Sequence, residues 1–494
     1  MYRAAKTARR AYLGGMMRGK KWLLVAAGIF LSAVLLLRGA WDFHGFYGQD
    51  AHEYLRYARA LMGWLGGGPP PGDYFWSPNY PLLGALLGFC CGGDAAWGLQ
   101  GCSLLAALGT AWFGRQIMRL WWPESAGEAD RWSLLALVAA PAMLKFGVLG
   151  MSDMTAALGV TGAWYGAVRF AQSGGNARFA LLETAFWAAW AVGARYAAAP
   201  LLLPAGVWVL GQLRARHVGW VLWALGLATL PLLPYLVWKS DTPAAFVQHE
   251  WLARWSPAHF FRTTFPHPDG DLHYPLPNLV YAAYAFVHPA IFPVALLLAP
   301  FWRPGDWRSA GKGAMLAAVV VYGLFLAGIP FQNLRFHLPA YPLVAVLAFP
   351  AWRRLVGWVE KKGGKTAFGW LFGGLLVAQA LVFARSMWPI LQLARTEQRL
   401  ARALVDTGAP VAYVFYVDGA VRTYGYAGQI HNLWFPQDTP FVAGAVVLFN
   451  EQQFAPLFPG RAIGQNFAAL QAQRPDTLAV WPDGWVMLRM GEGK

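Results

Sequence analysis

The sequence predicts a mainly α protein: a polytopic transmembrane helical bundle of about 11 spans, closed by a small C-terminal extramembrane α/β domain. Three observations predict it. The 494 residues are 57% hydrophobic and only 13% charged, with 27 Trp, which leaves far too little polar surface for a soluble chain of this length. Apolar runs such as Lys21–Arg38 and Thr366–Pro389 are each long enough to cross a hydrocarbon core of about 30 Å. After Trp388 the pattern turns to short β-type and amphipathic runs.

The expected spans lie near 22–39, 95–119, 131–150, 154–172, 178–193, 197–213, 218–239, 278–301, 313–330, 336–352 and 366–389. The net charge of +16 is not a nucleic-acid signal, because the basic residues fall in short clusters between apolar runs. Arg9, Arg10, Arg18, Lys20 and Lys21 make the N-terminus basic and therefore cytoplasmic, and no small-residue cleavage site follows the first run. Alternate loops then hold Arg115/Arg119/Arg131, Arg214/Arg216, Arg303/Arg308/Lys312 and Arg353/Arg354/Lys361/Lys362/Lys365 on the inside. The opposite loops hold Asp42, Asp50, Glu53, Asp73, Asp94, Asp153, Asp241, Glu250, Asp269 and Asp271. An odd number of spans puts the C-terminus outside. Cys90, Cys91 and Cys102 sit in apolar segments and suggest neither a disulfide framework nor a metal motif.

Residues 1–390 thus read as the membrane domain and 391–494 as the outer α/β domain, with two long outer loops at 42–94 and 240–278. The first loop holds an amphipathic stretch near Ala51–Trp64, the Gly/Pro-rich Gly66–Gly72, and an apolar helix near Tyr80–Cys91 too short to cross. The second is rich in His, Pro and aromatics, and His267–His273 matches no zinc or calcium spacing. In the C-terminal part, Arg395–Val405 reads as an amphipathic helix and Val411–Val417 and Ala445–Phe449 as strands. Phe467–Gln473 reads as helix and Leu478–Arg489 as a hairpin around Pro482-Asp483-Gly484.

The chemistry-bearing residues gather at one membrane level. On a helix, Asp50 and Glu53 share a face with Tyr54 and Tyr57 near them; the bland alternative is a solvated loop acid. Asp153, in Gly150-Met151-Ser152-Asp153-Met154, falls on the same outer face, where Ser152 or Asp153 would also serve as the N-cap of the next span. Arg195-Tyr196 and Arg335-Phe336-His337 lie where spans turn at that face. An Arg there offers permanently charged planar donors to a phosphate or carboxylate, or else snorkels to lipid headgroups. Trp76 and Tyr80 are aromatic candidates for the wall of a sugar cavity.

Together, Gln49-Asp50-Ala51-His52-Glu53-Tyr54-Leu55-Arg56-Tyr57-Ala58-Arg59, Pro78-Asn79-Tyr80-Pro81-Leu82-Leu83, Ser152-Asp153, Arg195-Tyr196 and Arg335-Phe336-His337-Leu338-Pro339 resemble the GT-C class of membrane glycosyltransferases. These are polyprenyl-phosphate-sugar-dependent enzymes such as protein O-mannosyltransferases and lipid A aminoarabinose transferases. The resemblance covers most of residues 20–350 by layout. The Pro78–Leu83 segment lacks the Lys of the Lys-Pro-Pro-Leu form common among relatives, so Arg335 or Arg195 stands in for it. The resemblance implies a polyprenyl-phosphate sugar donor, a glycan, lipid or protein acceptor, and a bacterial inner membrane with the α/β domain periplasmic. It also implies Asp50 as general base with Asp153 and Glu53 in support, and inversion at the sugar. Arg335 and then Arg195 would meet the donor phosphate, with His337, Tyr196, Tyr54 and Tyr80 lining the substrate site. No motif indicates a metal, so the cofactor stays unknown, with a divalent ion compatible with the chemistry.

Two other function classes fit the composition. A transporter or flippase of a lipid-linked or anionic substrate is the nearer one, opposed by the lack of an internal repeat and of polar residues deep within a span. A scaffold presenting the outer domain to partners is the other, and it would tolerate loss of Asp50.

Overall fold

The computed structural model describes residues 2–72, 74, 76–238, 253–267, 270–438, 440–458 and 460–491. Asp73, Asp241, Glu250 and Asp269, and the 240–252 part of the second long loop, lie outside the described residues. Helix α1 (Tyr2–Trp41) leads through a short loop to α2 (Gly48–Leu65). In α2 the residues Ala51, Tyr54, Leu55, Ala58 and Leu61 are buried, a helical stripe that leaves Gln49, Arg56 and Arg59 outside. Gly66–Gly68 fold back on the last turn, and the prolines that follow cannot extend it.

Next come α3 (Asn79–Cys90) and α4 (Ala95–Trp121), bent by 113° across a four-residue break. The Asp94 carboxylate caps α4 by accepting the Ala96 amide at 2.7 Å. The two helices touch backbone to backbone: a Cβ on Gly98 would run into the Gly84 carbonyl. Beyond α5 (Ala126–Ser133), a π-helical turn at Leu134–Val138 and a 58° bend precede α6 (Pro141–Val148). Helices α7 (Asp153–Gln172) and α8 (Arg178–Ala194) pack closely, Gly159 lying against the Ala191 backbone. Helices α9 (Ala199–Leu210) and α10 (Val218–Trp238) complete this half.

Four helices are long and apolar enough to cross a membrane, or six if each bent pair counts as one span, among the described residues. That is fewer than the 11 runs of apolar sequence. Three things contribute: a broken run, helices too short to count, and the joining of 336–352 with 366–389 in one element. The 278–301 run forms three short helices, Asn278–Ala282, Tyr284–Val287 and Ala295–Leu298, and a 3-10 turn, broken around Pro289 and Pro293, which remove amide donors. The 197–213 run yields a helix of only 12 residues. Leu24, Leu36, Trp223 and Trp370 are exposed on the outer surface of the bundle, a face suited to hydrocarbon rather than water.

The last long element, Tyr341–Asp406, is two helices joined at Gly364, whose φ of 69° only glycine adopts readily. Its second limb, 365–406, runs from the bundle core, where Gln379 donates to the Leu135 carbonyl at 3.0 Å, into the α/β domain. The expected span 366–389 and amphipathic helix Arg395–Val405 are therefore one continuous rod. Leu391 and Ala394 belong to the core of the bundle, whereas Leu400, Ala401 and Leu404 pack in the core of the α/β domain.

That domain carries a five-stranded mixed sheet. Strands β3 (Val411–Val414), β4 (Gln429–Asn432) and β5 (Val446–Phe449) are parallel, while β6 (Asp476–Val480) and β7 (Val486–Arg489) form the expected antiparallel hairpin, in the order β4-β3-β5-β7-β6. A separate hairpin, β1 (Thr264–His267) with β2 (Gly270–His273), meets this domain through Asp271, which pairs with Arg461 at 2.9 Å.

Candidate functional site

The loop between α1 and α2 is fixed from both sides. Arg38 donates two hydrogen bonds to the Gln100 amide oxygen, at 3.0 and 2.7 Å, and the Gln100 amide nitrogen donates to the Val148 carbonyl at 2.7 Å. Gly45, at φ +89°, passes so close to Gln100 and the Val148 carbonyl that a side chain there would collide. Its carbonyl accepts the Gly150 amide at 2.9 Å, and the Tyr54 and Ser152 hydroxyls meet at 2.9 Å. The start of α2 and the turn before α7 are thereby held edge to edge. Asp50 faces the space between them, and Asp153, 103 positions later in number, reaches that space only through its partner Arg195.

That space is a cavity of about 740 Å³, in the range of small-molecule sites. Asp50, Tyr54, Trp76, Arg195, Tyr196 and Arg335 line it from the helical half. Asp50 Oδ2 accepts from Arg335 at 2.5 Å, with both side chains about one-fifth exposed (24% and 18%). Asp153 is 1% exposed and is paired with Arg195 through Oδ1. The two guanidiniums lie 5.6 and 5.4 Å from the Phe336 ring centre. Burial alone would lower the Arg335 pKa, but Asp50 and Asp153 raise it instead, so this guanidinium is locked in its charged form. Tyr47, also on the wall, is pushed up to about 12 by burial, which keeps its phenol protonated.

Several expected residues stand elsewhere. Glu53 turns from the cavity and forms a bidentate pair with Arg56 at 2.5 and 2.7 Å. Tyr80 is buried in the bundle, bonded to the Leu99 carbonyl at 3.0 Å and to Ser103 at 2.9 Å. His337 is buried against the Tyr281 ring, 4.5 Å between centres. Neither belongs to the cavity wall. Ser152 precedes α7 without capping it through its side chain, since its hydroxyl is engaged by Tyr54.

Two contributions went unread in the sequence. The α/β domain roofs the cavity with Phe415, Tyr416, Trp434, Phe454 and Phe458, and Tyr416 holds φ +70°, a left-handed conformation rare outside glycine. In the helical half, Lys145 of α6 also reaches the cavity. It is a lone charge within the apolar run Pro141–Val148, so the expectation of no polar residue deep in a span is corrected, and that isolation was the available signal. Among the described residues no group of three or more His, Cys, Asp or Glu side chains converges on a metal-sized site.

One latch joins the halves. Glu397, on the 365–406 limb, accepts the Gly48 amide at 2.8 Å through Oε1 and meets His52 Nε2 at 3.3 Å through Oε2. The other His52 nitrogen lies 3.0 Å from the Thr423 hydroxyl. The pair is buried, at 1% and 0% exposure, two residues from Asp50.

No protein-family model and no curated protein matches the chain. Solved structures do. The crystal structure of ArnT from Cupriavidus metallidurans in the apo state aligns over 97% of this chain and 100% of its own, with 14% identity and a TM-score of 0.59. The same protein bound to undecaprenyl phosphate aligns over 96% and 99%, with 14% identity and a TM-score of 0.60. The Archaeoglobus fulgidus oligosaccharyltransferase, in a complex with Zn and sulfate, aligns over 95% of this chain and 73% of its own, with 12% identity and a TM-score of 0.50. Over nearly its whole length, the chain has the fold of the GT-C membrane glycosyltransferases.

Proposed function

We propose that the protein is an integral membrane glycosyltransferase that moves a sugar from a polyprenyl-phosphate donor to an acceptor hydroxyl at the outer membrane face. The observation that carries this reading is one roofed cavity presenting Asp50, Arg335 and Arg195, with Asp153 buried behind Arg195, in a fold shared with ArnT. Asp50 Oδ2 is occupied by Arg335, while Oδ1 has no partner among the described residues and serves as the proton acceptor. As it takes the hydroxyl proton, the acceptor oxygen bonds to the anomeric carbon, the bond from that carbon to the phosphate oxygen breaks, and the polyprenyl phosphate departs as an anion. A single displacement of this kind inverts the anomeric centre. Arg335 and Arg195 face the developing negative charge. Asp153 holds Arg195 in place, and Tyr54 and Tyr196 supply polar aromatic wall.

The donor assignment draws support from ArnT, solved with undecaprenyl phosphate. The acceptor is a glycan, a lipid or a protein. The setting is the bacterial inner membrane, with about 11 crossings, a cytoplasmic N-terminus, a membrane domain over 1–390 and a periplasmic α/β domain over 391–494. The test is sugar transfer from radiolabelled polyprenyl-phosphate sugars in membranes holding wild type or Asp50→Asn. Label on an acceptor with wild type alone supports the reading. Equal labelling removes Asp50 from the chemistry, and no label from any donor sinks the donor class.

A further inference from the structure

The charges of the cavity do not cancel. Its wall carries three cations, Lys145, Arg195 and Arg335, against two carboxylates, Asp50 on the wall and Asp153 behind Arg195. Each arginine is committed to one carboxylate. Lys145 has no carboxylate within ion-pair distance among the described residues; its ammonium lies 3.5 Å from the Ser386 carbonyl, too long for a firm hydrogen bond, and 5.6 Å from the Phe146 ring centre. The half-buried Lys145 thus brings a charge to the cavity wall that no carboxylate of the described residues balances. The cavity as folded therefore has a place for one more anion, at Lys145.

We propose that Lys145 is the anchor for the phosphate of the lipid donor. This rests on the glycosyltransferase reading and redistributes its labour. The phosphate enters carrying its charge and is held by Lys145 before any bond changes. Arg335 and Arg195, already neutralised, act on the charge that grows as the sugar leaves. Lys145 then governs donor affinity, and the arginine pairs govern the rate of the bound complex.

The experiment is ligand binding to full-length protein in phosphatidylcholine nanodiscs, read by native mass spectrometry. The probes are undecaprenyl phosphate, undecaprenol, inorganic phosphate and phosphatidylglycerol. Wild type is expected to prefer undecaprenyl phosphate over undecaprenol by about ten- to a hundredfold. Lys145→Gln erases that preference while binding undecaprenol as wild type does, which also shows the cavity intact, and Lys145→Arg keeps most of it. In the transfer assay Lys145→Gln raises the donor KM more than it lowers kcat. A Lys145→Gln protein that still prefers the phosphate form overturns the assignment and leaves the anchor with the arginines, the glycosyltransferase reading standing. Wild type with no preference for the phosphate form overturns both. Equal binding of phosphatidylglycerol or inorganic phosphate overturns the polyprenyl source.

Discussion

The two carboxylate–arginine pairs have the same chemistry and opposite surroundings. Asp153 is sealed at 1% exposure with its partner Arg195 at 19%, whereas Asp50 keeps 24% and opens onto the cavity. A sealed carboxylate can orient a guanidinium but cannot meet an incoming hydroxyl. An open one can do both, because only one of its oxygens is spoken for. In the proposed mechanism, exposure rather than residue type divides support from reaction. Glu53 makes the contrast sharper: although three residues from Asp50, it pairs with Arg56 outside the cavity.

The largest effect expected is from Asp50→Asn, which keeps shape and removes the proposed base. Sugar transfer should fall by about 10²–10⁴-fold with the thermal midpoint nearly unchanged, and activity near wild type would erase the distinction between the pairs. Asp153→Ala should act mainly on the fold. Stranding Arg195 costs about 3–5 kcal/mol, to be read as a lower unfolding midpoint and lower membrane yield; an unshifted midpoint would mean that Arg195 finds another partner. Glu53→Gln removes a solvent-reached pair worth at most about 1 kcal/mol, and transfer rates should match wild type. The smallest effect concerns a carboxylate with no arginine at ion-pair distance among the described residues. Burial pushes the Asp418 pKa above its usual value, and Arg422 only partly offsets it. A raised folded pKa means that this group's contribution is fully present below the unfolded value and is lost as pH rises through the folded one. Asp418→Asn should therefore flatten the decline in stability above the ordinary carboxylate range, measured as midpoint against pH.

Much of this was legible in the chain. Helix α2, the short helix α3 and the β6–β7 hairpin announce themselves by local pattern: a stripe at Ala51, Tyr54, Leu55 and Ala58, an apolar run too short to cross, and a Pro-Asp-Gly turn. The acidic start of α2 and the two outer arginines were likewise readable as unusual charges. Which acid meets which arginine was not, because Asp50–Arg335 and Asp153–Arg195 join segments whose proximity only the packed bundle creates. The aromatic roof was hidden for the same reason: nothing in the local pattern around Phe415, Phe454 and Phe458 points toward the membrane domain. The unbroken 365–406 limb was obscured by Pro389, which sits inside the helix while Ile390 and Leu391 directly after it stay packed in the bundle.

That limb also gives the protein a phase. Each residue in an α-helix adds about 1.5 Å and 100°, and the residues between Ala394 and Glu397 separate the part anchored in the bundle from the carboxylate that grips Gly48 and His52. One residue inserted there would swing the whole roof by about 100° and turn Glu397 from its partners. Seven would bring the facing back to within about 20° yet lift the roof about 10 Å from the cavity floor. The distance from bundle to roof and the direction in which the roof faces are thus set by one number, the count of residues along this stretch of helix.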